Sequence, residues 1–213
     1  MASQTQQLEN PAPPTLGYPT EVYERRHFNE NNGALTVYFK KLSFVLGSLF
    51  GPRGGRFMNA PHGAFQSTVD QTAAVANTAY AMTLNTTDYA NGVSVASSSR
   101  ITVADSGIWN LQWSGQFENP DSQDHDVRVW IKVNGTNLVG STGFVGIPSK
   151  HGAVDGHTIV GWNYFLSLAA NDYIELWWET DSTTVSIQAY AAASNYPSTA
   201  SLIATMQFVS NTM

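Results

Sequence analysis

The densest group of side chains that could bind a metal or move a proton is the acidic segment 118–126, with four carboxylates and one imidazole. Calcium prefers several oxygen ligands, and Asp121, Asp124 and Asp126 could supply them. The segment lacks, however, the glycine and the terminal glutamate of the helix-loop-helix calcium motif. We therefore expect a solvated loop between two strands, and we predict no metal-binding residue.

No other combination of side chains predicts catalysis. The five histidines are scattered without the spacing of a zinc site. The segment Gly140-Ser-Thr-Gly143 does not match the nucleophile elbow of serine hydrolases. Glu175 and Glu179 share one face of a predicted strand, but the rise per residue separates them by about 13 Å, too far for a pair of glycosidase carboxylates. We expect no catalytic residue, no cofactor and no enzymatic activity.

The tryptophans on predicted strands give the most specific indication of a functional surface. Side chains alternate between the two faces of a strand, so Trp177 and Trp178 point to opposite faces. If Trp178 enters the core, Trp177 and Tyr173 face outward, and the same alternation places Trp130 outward. We predict that Trp130, Tyr173 and Trp177 form an interface between copies of the chain. Cover by a second sheet or by a helix, and a platform for stacking carbohydrate, are the alternatives.

These tryptophans belong to a series of alternating apolar and polar runs that end in Asn, Gly, Asp or Pro. Such runs predict strands with one buried face and one free face. About ten short strands without an intervening helix predict an all-β fold, an antiparallel sandwich or barrel. The predicted strands are residues 65–70, 77–84, 92–96, 99–104, 107–117, 126–134, 137–145, 157–168, 172–180, 184–191 and 201–209.

Two segments precede this main domain, which we place at residues 64–213. Residues 1–33 contain four prolines among polar residues and predict an extended N-terminal arm, either mobile or ordered against a partner. Residues 34–63 combine a short amphipathic helix, which ends at Gly51-Pro52, with a glycine-rich hinge. The helix either packs on its own domain or a neighbouring protein, or forms a short bundle on an oligomer axis.

We predict that both segments anchor the protein to a partner. The arm carries aromatic residues in a polar context, and the helix carries an apolar stripe with spacings of three and four residues. The predicted anchoring residues are Tyr18, Tyr23, Phe28, Leu35, Tyr38, Leu42, Val45 and Leu49.

Composition excludes several classes of partner. The net charge is −6 with only ten Lys and Arg, whereas phosphate-backbone binding needs clustered cations. There is no cysteine, so neither disulfides nor thiolate metal sites are available. The sequence contains neither a signal-peptide pattern nor an apolar stretch long enough to span a membrane. We expect no nucleic-acid or membrane partner, and assembly in a cytoplasm.

Four segments resemble, in order, the trimeric jelly rolls of the tumour necrosis factor and complement globular-head superfamily. They are residues 101–114, 129–135, 166–176 and 197–208. The whole chain also resembles virion proteins of tailed bacteriophages, through residues 49–57, 70–74 and 80–93. The resemblance implies a jelly-roll β-sandwich and a homotrimer, with the face that carries Trp130, Tyr173 and Trp177 turned toward the three-fold axis.

The resemblance therefore implies a non-enzymatic protein on the virion surface. We expect a trimeric capsid decoration, cement or head-fibre protein whose N-terminal region docks on the major capsid protein or another virion protein. The alternative is a receptor-binding adhesin at a tail-fibre tip, which would recognise a host glycan or protein receptor through loops such as 118–126 and 145–156.

Overall fold

The computed structural model describes residues 11–18, 21–50 and 59–211. The chain divides into two compact units, Met1–Asn59 and Ala60–Met213. The hinge predicted around Pro52 lies outside the described residues.

The first unit contains one long helix, α1 (Arg25–Phe50), and residues 11–18 have no regular secondary structure. The predicted helix began at residue 34, so the prediction of an extended arm over residues 1–33 is wrong for its last part. The run of Asn and Gly before residue 34 resembles a helix start, but each of these residues costs only about 1 kcal/mol or less inside a helix. Asn31 instead accepts a hydrogen bond from the backbone N–H of Gly17 at 3.1 Å, and Phe28 extends the apolar stripe by two turns.

The second unit is an antiparallel β structure. Within residues 59–211 its strands are β1 (His62–Ser67), β2 (Gln71–Thr72), β3 (Tyr80–Ala81), β4 (Thr86–Asn91), β5 (Val93–Ala96), β6 (Arg100–Val103), β7 (Gly107–Asn119), β8 (His125–Val133), β9 (Thr136–Asn137), β10 (Gly143–Ile147), β11 (Gly156–Leu168), β12 (Tyr173–Thr180), β13 (Ser186–Ile187) and β14 (Leu202–Ser210).

The strands form two sheets. In the first sheet β7 is central, and β11 pairs along one of its edges. On the other edge β14 pairs with β7, followed by β1 and then β4. The short strand β13 pairs with the end of β7 that β14 leaves free, and β2 pairs with β13. The second sheet has the order β10-β8-β12-β6-β5, with β9 beside β8 and β3 beside β12. This arrangement is that of an all-β sandwich.

The core lies between the two sheets, and alternation along the strands supplies it. Trp109, Leu111 and Trp113 of β7 are buried, as are Leu176 and Trp178 of β12. Side chains of the two sheets meet directly; the rings of Phe117 and Trp178, for example, lie edge to face at 5.8 Å. The predicted division of these strands into inward and outward residues is confirmed.

Several strands differ from the prediction. The segment Thr86–Asn91 forms an edge strand that was not predicted, because its mostly exposed polar residues show no alternation. The strand predicted at 77–84 is limited to Tyr80–Ala81, and that at 184–191 to Ser186–Ile187. The strand predicted at 137–145 is divided into β9 and β10 by a turn in which Gly140 has a φ of 81°.

Candidate functional site

The outer face of the second sheet brings the three predicted interface residues together. Trp130 on β8 lies directly opposite Trp177 on β12, and their rings stack with centroids 6.4 Å apart. The ammonium group of Lys132 lies 3.4 Å from the centre of the Trp177 ring, and the guanidinium of Arg100 lies 4.6 Å from that of Tyr173. The three aromatic side chains are half-buried, because neighbouring cations cover them.

Charged groups on the same face pair with one another. Arg128 forms an ion pair with Glu179, and Glu175 is only 6% exposed although it points away from the core. Glu175 accepts a hydrogen bond of 2.6 Å from Ser99 and lies 3.7 Å from Arg100. Alternation does not predict this burial, because the partners of Glu175 come from a distant part of the chain. The face is thus a network of cations, carboxylates and aromatic rings rather than a bare apolar patch.

The outer face of the first sheet has a different chemistry. Its three longest strands contain no Asp, Glu, Lys or Arg over residues 107–117, 158–168 and 202–210. The outward residues Ile159 and Phe165 are nevertheless 72% and 64% exposed. Interfaces are depleted of charge at their centre, so this face can meet another protein without burying an ionised group.

One polar atom on this face has no partner. The Oδ1 atom of Asn110 is buried and accepts no hydrogen bond within the described residues. An unsatisfied buried acceptor costs about 1–3 kcal/mol, and rotation of the Asn110 side chain toward a donor on an apposed protein would remove that cost. Sequence reasoning overlooked this face, although the absence of charge from three long alternating runs was visible.

The ends of the sandwich are also different. Gly156 pairs with Asn119 and Ile147 pairs with His125, which places the loops 120–124 and 148–155 at one end. At the opposite end His62 pairs with Gln207. The chain therefore enters and leaves the sandwich at the end away from these loops.

At the loop end, the side chains of the acidic segment form hydrogen bonds and ion pairs within the chain. His125 lies between two carboxylates, 3.0 Å from an oxygen of Asp121 and 3.1 Å from an oxygen of Asp181. The hydrogen bond with His125 lowers the pKa of Asp121. The backbone N–H of Ser149 donates to Asp124 at 2.7 Å and lowers the pKa of that carboxyl. Within the described residues, no three His, Cys, Asp or Glu side chains converge to hold a metal ion.

A second polar cluster at this end was not predicted. The phenol of Tyr190 donates to Glu118 and lies 3.2 Å from Nδ1 of His157. Burial, followed by the hydrogen bond to Glu118, raises the pKa of Tyr190 above its usual range. No sequence signal links these three residues, because the loop of β13 brings Tyr190 to strands far away in the chain. The rings of His157 and Tyr190 lie 6.0 Å apart beside the Glu118 carboxylate, and aromatic rings beside hydrogen-bonding groups are the combination that recognises sugars.

In the first unit, the predicted anchoring residues differ in exposure. Tyr18, Tyr23 and Phe28 are 93%, 74% and 52% exposed, and the last two rings lie 6.0 Å apart. The remaining five residues form a half-buried stripe along α1. They are Leu35, Tyr38, Leu42, Val45 and Leu49.

No protein-family model matches the chain, and no curated protein matches it. Within the described parts of the chain, no helix combines the length and the apolarity needed to span a membrane.

Proposed function

We propose that the protein is a non-enzymatic structural protein of a bacteriophage virion, a trimeric decoration, cement or head-fibre protein that is anchored by its N-terminal unit. The observation that carries the proposal is the outer face of the three longest strands of the first sheet, which is uncharged over residues 107–117, 158–168 and 202–210 and exposes Ile159 and Phe165. A net charge of −6 opposes association of the copies, and a contact between uncharged surfaces adds no local repulsion between like charges.

The order of the strands supports a jelly roll. The chain alternates between the sheets, with β1, β7, β11 and β14 in the first and β6, β8, β10 and β12 in the second. Their spatial orders, β1-β14-β7-β11 and β6-β12-β8-β10, are those of two interlocked four-stranded sheets. Such a sandwich exposes two flat faces, of which one is free for association.

The two ends of the sandwich support attachment at one side. The chain enters the sandwich at the end opposite the loops 120–124 and 148–155, so attachment through that end would leave the loops accessible. The exposed aromatic residues Tyr18 and Tyr23 supply apolar surface for contact with a capsid protein or another virion component.

We place the trimer contact on the first sheet rather than on Trp130, Tyr173 and Trp177. The latter residues are half-buried and interact with cations, and association there would remove Lys132 and Arg100 from water. The first sheet presents Phe165 and Ile159 without such a cost.

Two exposed phenylalanines on edge strands provide a matched test. Phe165 lies on β11 of the first sheet and Phe144, which is 70% exposed, lies on β10 of the second. We expect sedimentation equilibrium to give a trimer for the native chain and for Phe144→Lys, and a shift toward monomer for Phe165→Lys. If Phe144→Lys dissociates the trimer and Phe165→Lys does not, the contact lies on the second sheet; a monomeric native chain would refute the trimer.

The place on the virion has its own test, a reconstruction of the particle of the phage that encodes the chain. Decoration requires copies repeated over the capsomers, whereas a fibre requires few copies at a vertex or tail. Absence of the protein from purified particles would overturn the virion assignment. Replacing Tyr18 and Tyr23 by alanine should release the protein from the particle without changing its oligomeric state.

The cluster at the loop end favours a second function, that of a receptor-binding adhesin for a host glycan. Tyr190 and His157 would contact the sugar, with Glu118 accepting hydrogen bonds from its hydroxyls. Binding of the native trimer to host cells or to a glycan array, lost in Tyr190→Ala, would support this alternative. Equal binding by both proteins would exclude this cluster as the receptor site.

A further inference from the structure

We propose that the α1 helices of neighbouring copies associate as a parallel, in-register coiled coil. This association goes beyond the proposed function and rests on it only for the number of copies. Part of the apolar stripe that was predicted to anchor the protein would then contact identical chains. The helix spans 26 residues, about 39 Å from its rise per residue.

The spacing of the apolar residues carries the inference. Phe28, Leu35, Leu42 and Leu49 recur every seven residues, and Asn31, Tyr38 and Val45 lie three residues after the first three of them. The 3-4 spacing extends over the helix, but Asn31 is polar and is contacted by Gly17 of the same chain, so the apolar seam open to a second helix runs from Leu35 to Leu49. A repeat of 3.5 residues keeps one seam facing a second helix, which is the pattern of a left-handed coiled coil.

The seam itself contains no charged residue, although Arg25 and Lys41 lie beside it. The charged residues of α1 are Arg25, Arg26, Glu30, Lys40 and Lys41. Phe39 and Leu46, which are 58% and 44% exposed, lie beside the seam and widen it. A wide apolar seam suits more than two helices, because each helix then contacts two neighbours.

The helix itself requires such cover. A Cβ atom at either of its internal glycines, Gly33 and Gly47, would have no neighbouring atom within 4 Å, so packing of the described residues does not require glycine there. Each weakens the helix by about 1 kcal/mol relative to alanine, and an isolated helix of this composition is marginal in water. Association of identical seams supplies the missing packing energy.

The arrangement leaves a separate surface for a virion partner. Val37 and Phe44 are 53% and 61% exposed and lie on the side of α1 opposite the seam. Together with Tyr18 and Tyr23 they remain available for docking after the helices associate.

Single cysteines test the proposal in the full-length chain, which has no native cysteine. We expect mild oxidation of Leu42→Cys and of Leu49→Cys to give disulfide-linked pairs, with one chain of each trimer unlinked. Ser43→Cys, one residue from the seam, should link far less. Circular dichroism of each variant checks that the sandwich is folded.

Each outcome separates the inference from the proposed function. If the chain is a trimer but Leu42→Cys forms no more disulfide-linked pairs than Ser43→Cys, the coiled coil is refuted and the trimer is not. Linkage of Leu42→Cys without Leu49→Cys overturns the parallel register, since an antiparallel pair places the two ends of α1 far apart. Linked chains that are absent from particles would support the inference and refute the virion assignment, whereas monomeric chains would refute both coiled coil and trimer.

Discussion

Replacing each of two adjacent tryptophans by alanine tests the arrangement of the sandwich. Trp178 is 1% exposed, and its ring lies 5.8 Å from that of Phe117 and 6.5 Å from that of Tyr80. Removing a buried tryptophan costs about 3–5 kcal/mol, and the loss of two aromatic contacts moves the cost to the upper end of that range or slightly above it. We expect Trp178→Ala to lower the free energy of unfolding by about 4–6 kcal/mol, a large part of the stability of a domain.

Trp177 provides the matched control because it lies on the opposite face. Its replacement removes the stacking on Trp130 and the contact with Lys132, each worth about 1 kcal/mol. It also removes the Nε1–H group, which is buried without a partner within the described residues, so part of the loss is recovered. We expect Trp177→Ala to cost about 1–2 kcal/mol, roughly 3 kcal/mol less than Trp178→Ala.

Urea unfolding followed by far-ultraviolet circular dichroism measures both changes without relying on tryptophan fluorescence. All variants are compared at one protomer concentration, because association stabilises the folded chain by mass action. Equal costs for the two variants, or a larger cost for Trp177→Ala, would refute the assignment of faces. If the urea midpoint of unfolding stops depending on protein concentration only in Trp177→Ala, the trimer contact lies on the second sheet.

Two further predictions concern the loop end. A Cβ atom at Gly156 would lie 1.8 Å from the carbonyl oxygen of Pro148, so Gly156→Ala should lower the free energy of unfolding by about 2–3 kcal/mol in urea titrations, whereas Gly146→Ala, in open space, should change it little. Because the pKa of Asp124 is lowered in the folded chain, the hydrogen bond from Ser149 to its carboxylate is fully present above pH 3.8, the ordinary pKa. The bond weakens as the pH falls through the lower pKa of the folded chain. An amide proton shift of Ser149 that stays constant during acidification would contradict this.

The elements that follow local rules could be predicted from the sequence. Alternation identified the inward residues of β7, β8 and β12, because the side-chain period of a strand is a property of adjacent residues. The Asn134-Gly135 turn is equally local. Both residues have positive φ, 49° and 79°, as a two-residue hairpin requires, and Val133 pairs with Thr136 across it.

The features that depend on distant partners could not be predicted. The edge strand β4 exists because β1 offers it an unpaired edge, not because its own residues favour a strand. The cluster of Glu118, His157 and Tyr190 combines three separate segments. The early start of α1 depends on the contact between Asn31 and Gly17, which no propensity scale contains.

The distribution of charge between the two sheets explains why one face suits self-association. Around a symmetry axis, every charge on a contacting face lies near its own copies, and like charges repel. The second sheet places Arg128, Lys132 and Glu179 outward; Arg128 and Glu179 neutralise each other, and Lys132 lies over the ring of Trp177. The longest strands of the first sheet carry no charge over residues 107–117, 158–168 and 202–210, and Glu118 lies at the loop end of β7. A face that is selected only for solubility would not leave Phe165 and Ile159 exposed among uncharged neighbours, so the first sheet is the face that we expect to meet its copies.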